Sequence, residues 1–183
     1  TSGVVDCPEG TSITSDGRFA LESTVTDVVG HASPTAQLNV KVDTTDPVVS
    51  LTPDRPPNRH GWYRDPVEVT TSATDATSGL AAVSAPQVYL RTTHACGGAS
   101  DVAGNLRTRV FLVRVDQRDP GVRVLGIDDG ETFRSMPNLR SRASDGTCAS
   151  CSGVADTFVD AVRLGTHKYA AIATASDYAG NDS

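Results

Sequence analysis

Four cysteines, four histidines and eighteen aspartates are the residues of this 183-residue chain that could do chemistry, and their spacing limits which chemistry that is. Cys148 and Cys151 form a C-x-x-C inside a Gly/Ser/Asp-rich stretch, which reads either as a small local disulfide or as half of a zinc site. Zinc needs four ligands, and the sequence offers no second C-x-x-C and no H-x-x-x-H; a redox pair would open a helix in a βαβ unit, which nothing here signals. A local disulfide is the expectation, with Cys7 and Cys96 left either to pair at long range or to stay single. Asp43 and Asp46 lie in Val42-Asp43-Thr44-Thr45-Asp46-Pro47, and Asp116 and Asp119 in Val115-Asp116-Gln117-Arg118-Asp119-Pro120. Such carboxylates could help to hold calcium, which takes six to eight oxygens. The alternative, which the sequence favours, is that they satisfy turn amides and no cofactor is needed. No G-x-S-x-G, H-E-x-x-H or P-loop pattern is present, and His31, His60, His94 and His167 share no common phase, so catalysis is not expected and no catalytic residue is assigned.

The elements that must position these residues are repeated. Asp27-Val28-Val29-Gly30-His31, Asp101-Val102-Ala103-Gly104-Asn105 and Asp177-Tyr178-Ala179-Gly180-Asn181 are spaced 74 and 76 residues apart, a unit of about 75 residues. Ser2-Gly3-Val4, Ser78-Gly79-Leu80 and Ser152-Gly153-Val154 precede them by 25, 23 and 25 residues. The two D-x-x-D-P segments keep the same beat and read as joints. In the D-x-A-G-N turn Asp accepts turn amides, Gly supplies positive φ and Asn tolerates unusual angles. Asp27, Gly30, Asp101, Gly104, Asn105, Asp177, Gly180 and Asn181 are accordingly structural.

Helix is barely signalled, because eighteen Asp stand against four Glu alongside 10 Pro and 16 Gly, a composition that favours turns. Strands are expected at 48–51, 66–74, 80–83, 88–91 and 106–115, with further extended chain leading into Asp101. Residues two, four and six places before each turn Asp should face inward, namely Val25, Ser23 and Leu21 in the first copy and Ala175, Ala173 and Ala171 in the third; Cys96 then faces outward. Gly97 and Gly98 should weaken their strand. Trp62 and Tyr63, with Phe133 in the equivalent place, read as core plugs. Net charge is −6 and the basic residues form no stripe, which excludes the electrostatic footprint of nucleic-acid binding. No apolar run is long enough to span a bilayer.

With Gly61-Trp62-Tyr63, Ser78-Gly79-Leu80, Asp101 to Asn105 and Val42 to Pro47 in view, the chain resembles the bacterial immunoglobulin-like repeats of secreted and cell-surface proteins. The resemblance implies an all-β fold of tandem immunoglobulin-like β-sandwich modules: residues 1–43 as the C-terminal part of one, 44–117 as a complete one, and 118–183 as one lacking its last strand. It departs from the pattern at His31, which stands where the late turn has Asn, and in its cysteines. Cys7-Pro8 fits a cysteine that the family pairs with an earlier strand, which would precede residue 1.

The implied role is a non-catalytic spacer or adhesive stalk of an extracellular or cell-surface protein, whose partners are neighbouring modules of the same array. Two alternatives stand beside it. One is a carbohydrate-binding accessory region of a secreted glycoside hydrolase, meeting cell-surface or extracellular polysaccharide. The other is a strand-exchanging subunit of an extracellular filament, in which a like chain completes open sheet edges.

Overall fold

The computed structural model describes residues 3–4 and 9–183; Cys7, whose pairing the sequence leaves open, lies outside them. Among the described residues the chain forms strands and no helix: β1 Gly17–Ser23, β2 Ala36–Val42, β3 Val48–Pro53, β4 Val67–Thr74, β5 Leu80–Val83, β6 Gln87–Tyr89, β7 Thr93–Asp101, β8 Leu106–Val113, β9 Gly121–Leu125, β10 Arg140–Ser144, β11 Val154–Gly165 and β12 Lys168–Asp177. The Asp-, Gly- and Pro-rich segments between them break every potential helix into turns, as the composition requires.

The strands pair into small sheets. β1 and β2 form an antiparallel hairpin with Leu21 opposite Leu38, β9 pairs with β10, and β11 pairs with β12 over a long ladder bulged near each end. Two three-stranded sheets run β3-β4-β6 and β5-β7-β8. This all-β architecture of several small sheets is consistent with a β-sandwich. The chain divides into two compact units, one of residues 1–50, 71–84 and 97–109, the other of residues 51–70, 85–96 and 110–183. β3, β4, β7 and β8 contribute residues to both.

The second unit holds the core. Val67 and Val69 of β4, Ala95 of β7, Val113 of β8, and Tyr63 and Val115 are buried together, with Leu51, Tyr89 and Phe111 packed against them. Val67 and Val69 alternate with exposed Glu68 and Thr70, so β4 has one dry and one wet face. Burial in this low-dielectric core pushes the Tyr63 hydroxyl above its ordinary pKa, offset in part by the Arg55 guanidinium over its ring. Ala95, Gly97 and Ala99 are buried while Cys96 is exposed and free, which is the parity expected from Asp101. In the third copy Ala175 is buried and Ala171 and Ala173 half-buried. In the first, Leu21 and Val25 are half-buried but Ser23 is exposed, contrary to expectation, because its hydroxyl gains more from water than from a thin two-stranded sheet.

β7 runs without a break through Gly97 and Gly98, and a Cβ on Gly98 would lie 2.7 Å from the Arg107 carbonyl oxygen, so glycine here permits close approach of β8. One further expectation is corrected. Phe133 is 40 % exposed and plugs no core, falling in the long connection between β9 and β10 rather than on a strand. Tyr63 instead is anchored by a parallel bridge to Val115, which Phe133 lacks.

Candidate functional site

The three D-x-x-G turns share one hydrogen-bonding scheme. In each, the Asp N–H donates to the carbonyl four residues on (Asp27 to His31, Asp101 to Asn105, Asp177 to Asn181), and the Gly N–H returns to the Asp carbonyl. Gly30, Gly104 and Gly180 take φ of 93°, 100° and 92°, a region costly to any residue with a Cβ. The Oδ1 of Asp101 accepts the Gly104 and Asn105 amides at 2.7 and 2.8 Å, and that of Asp177 accepts the Gly180 and Asn181 amides at 2.7 and 2.9 Å. Asn105 and Asn181 each donate Nδ2–H to the Asp Oδ2 at 2.8 Å. In the first copy the His31 ring does this work, with Nδ1 3.2 Å from Asp27 Oδ2. An imidazole nitrogen thus substitutes for the missing amide.

The markers that recur along the sequence meet in space. Asn105 Nδ2 also donates to the carbonyl of Asp43 at 3.1 Å, and Asn181 Nδ2 to that of Asp116 at 3.0 Å, so each late turn grips a D-x-x-D-P segment. The joint carboxylates in turn accept the Ser78 and Ser152 amides, and Ser78 and Ser152 Oγ accept the amides of Ala103 and Ala179. The Val102 and Tyr178 amides donate to the carbonyls of Gly79 and Gly153. Joint, S-G-V segment and late turn therefore form one cross-braced knot, built twice.

At the centre of each knot three carboxylates converge. One ligand atom from each of Asp43, Asp75 and Asp101 lies within 4.8 Å of the others, as does one from each of Asp116, Asp145 and Asp177. The first triad is half-buried apart from Asp101; the second is buried throughout, with Asp116, Asp145 and Asp177 only 2 %, 8 % and 4 % exposed. Asp75 Oδ1 caps its own turn, accepting the amides of Thr77, Ser78 and Gly79. Asp145 differs: its Oδ2 accepts the Gly153 amide at 2.6 Å, but its Oδ1 is buried and receives no hydrogen bond.

The electrostatics follow from this inventory. Desolvation raises the Asp145 pKa, the Gly153 amide opposes it, and the charges of Asp116 and Asp177 add to the rise, as does an Asp116 oxygen close enough to share a proton. For Asp101 burial also acts upward, but the Asn105 side chain and the amides of Asn105, Gly104 and Ala103 outweigh it, and the pKa falls. Three ionised carboxylates at such separations would repel by about 3 kcal/mol per pair at an effective dielectric of ~20. The second triad needs a compensating positive charge or a proton.

Of the candidate ligands read from sequence, Asp43 and Asp116 join the triads and Asp46 and Asp119 do not. Asp46 lies 3.6 Å from Arg107 Nη1 in a half-exposed pair, and Asp119 is exposed. Asp75, Asp101, Asp145 and Asp177 are the partners missed. Asp101 and Asp177 open the D-x-A-G-N turns, whereas Asp75 and Asp145 precede the S-G markers at Ser78 and Ser152 by three and seven residues and so keep no fixed phase that would have singled them out. Cys148 and Cys151 form the local disulfide, with Cα atoms 5.1 Å apart. Trp62 is half-buried while its neighbour Tyr63 is in the core, so the plug is Tyr63. The Trp62 amide donates to Asn58 Oδ1, and Asn58 Nδ2 reaches the carbonyls of Tyr178 and Ala179 on the late turn. No helix of the described residues is long and apolar enough to cross a membrane.

No protein-family model matches this chain, and no curated protein is significantly similar to it.

Proposed function

We propose that the chain is a non-catalytic spacer or adhesive stalk of an extracellular bacterial protein, made of tandem immunoglobulin-like modules of about 75 residues with joints at Asp43 to Pro47 and Asp116 to Pro120. The observation that carries this reading is the repeated knot, in which Asn105 and Asn181 each bind the backbone of a joint. A joint held by side-chain hydrogen bonds and closed by the buried Pro47 or Pro120 has few torsions left to bend about. Distance then accumulates module by module, which is what a spacer requires and a catalyst does not. Small-angle scattering tests it. An elongated particle whose longest dimension shortens when both asparagines are replaced by alanine is expected; a compact particle indifferent to those changes refutes it.

One observation favours a second reading, the self-associating subunit. β11 and β12 form a two-stranded sheet on which Phe158 is 61 % exposed and Leu164, Tyr169 and Ile172 are also exposed, so apolar surface lies beside unpaired strand edges. Light scattering across a concentration series separates the two, since a stalk stays monomeric.

A further inference from the structure

We propose that Asp116, Asp145 and Asp177 form a binding site for one calcium ion. The inference stands on the triad itself and does not depend on the spacer reading.

Each carboxylate comes from a different segment: Asp116 from the joint, Asp145 from the end of β10, Asp177 from the end of β12. Together they bring one ligand atom each to within 4.8 Å of the others, and all are buried. The local donors are accounted for. Asp116 accepts the Arg118 and Ser152 amides, and Asp177 accepts Gly180, Asn181 and the Asn181 side chain. Asp145 accepts only Gly153, through Oδ2, which leaves its buried Oδ1 without a donor. Buried polar atoms are rarely left so, and an orphan among carboxylates marks a place for a positive group. Among the described residues no Lys, Arg or His forms an ion pair with any of the three. The protein therefore gathers three acids in its interior and supplies no cation of its own.

Carboxylate oxygens select a hard cation over zinc or copper. Calcium is preferred to magnesium because it accepts irregular, partly bidentate oxygen sets at longer distances, whereas magnesium demands a near-ideal octahedron. The amides that already bind the outer lone pairs of Asp116 and Asp177 fix those side chains in place, as supporting groups around a metal do. Asp43, Asp75 and Asp101 repeat the arrangement with more exposure and with Asp75 Oδ1 engaged in its own turn, so the buried triad is the stronger site.

The test uses the whole chain, stripped with chelator. Trp62 is the single tryptophan and belongs to the same compact unit as the triad, so its fluorescence follows the relevant melt. Calcium chloride at a hundredfold excess over its dissociation constant should raise the midpoint by roughly 10 °C or more. Asp145→Asn should weaken calorimetrically measured calcium affinity at least tenfold and abolish that shift. In chelator the same variant should melt at or above the unsubstituted chain, because a neutral amide relieves the repulsion and keeps the Gly153 bond. Asp119→Asn, an exposed change outside the triad, should leave the shift intact. If Asp145→Asn does not fold, Asp116→Asn is read in the same way. An unsubstituted chain with equal midpoints in calcium and chelator overturns the proposal, as does an Asp145→Asn chain that calcium stabilises fully. An equal shift with magnesium chloride overturns the assignment to calcium.

Discussion

Replacing Asn181 by alanine tests whether the late turn holds the joint. Asn181 is 4 % exposed, and its side-chain amide makes two bonds, to the Asp116 carbonyl at 3.0 Å and to Asp177 Oδ2 at 2.8 Å. Alanine leaves a neutral acceptor and a charged acceptor unpaired, both on residues that water hardly reaches. An orphaned neutral group costs about 1 kcal/mol and one bonded to a charge about 1.5–3 kcal/mol, so the loss should be roughly 3 kcal/mol. That corresponds to a midpoint lower by roughly 10 °C or more for a unit of this size. Asn105 makes the matching bonds, and Asp101 is as buried as Asp177, but Asn105 and Asp43 are half-buried and water can replace the neutral bond, so Asn105→Ala should cost less, about 2 kcal/mol. Urea unfolding followed by Trp62 fluorescence for the first variant, and by circular dichroism for both, gives the comparison. Equal losses, or a loss under about 0.5 kcal/mol for Asn181→Ala, would refute the argument that burial makes this amide matter.

Two other outcomes follow from local geometry. Gly98→Ala places a Cβ 2.7 Å from the Arg107 carbonyl and 3.0 Å from Thr108 Cγ2, so β7 and β8 must separate; a loss of about 1–3 kcal/mol in denaturant midpoint is expected, and a neutral result would show that the strands part freely. Asp16 accepts the hydroxyls of Thr45 and Thr44 and the Thr44 amide, which together hold its pKa below the ordinary value. A depressed carboxylate lends stability above its unfolded pKa and loses it as pH falls through the folded one. Thermal melts from pH 7 down to 2.5 should therefore lose less for Asp16→Asn than for the unsubstituted chain below about pH 4. Parallel curves would show that this carboxylate contributes nothing to the joint.

Much of the fold was legible in residue order. The expected strands at 66–74 and 80–83 appear as β4 and β5 within a residue, and the stretch 106–115 as β8 ending at Val113. The inward parity before Asp101 held because alternation in a strand is a property of the backbone. The candidate site was half legible. Asp43 and Asp116 were singled out as joint carboxylates, but Asp46 and Asp119 were joined to them by nearness in sequence alone. The structure replaces those two by Asp75 with Asp101, and by Asp145 with Asp177.

What residue order alone determined is whatever rests on neighbours within a few positions: strand alternation, the glycine turns and the Cys148–Cys151 disulfide. Such features need only backbone sterics and short-range hydrogen bonds. Tertiary structure decided which carboxylates converge, that Tyr63 is buried and Phe133 is not, and that Asn181 reaches a carbonyl 65 residues away. Those outcomes depend on strands closing over a common core, and nothing in the local chain encodes the distance across it.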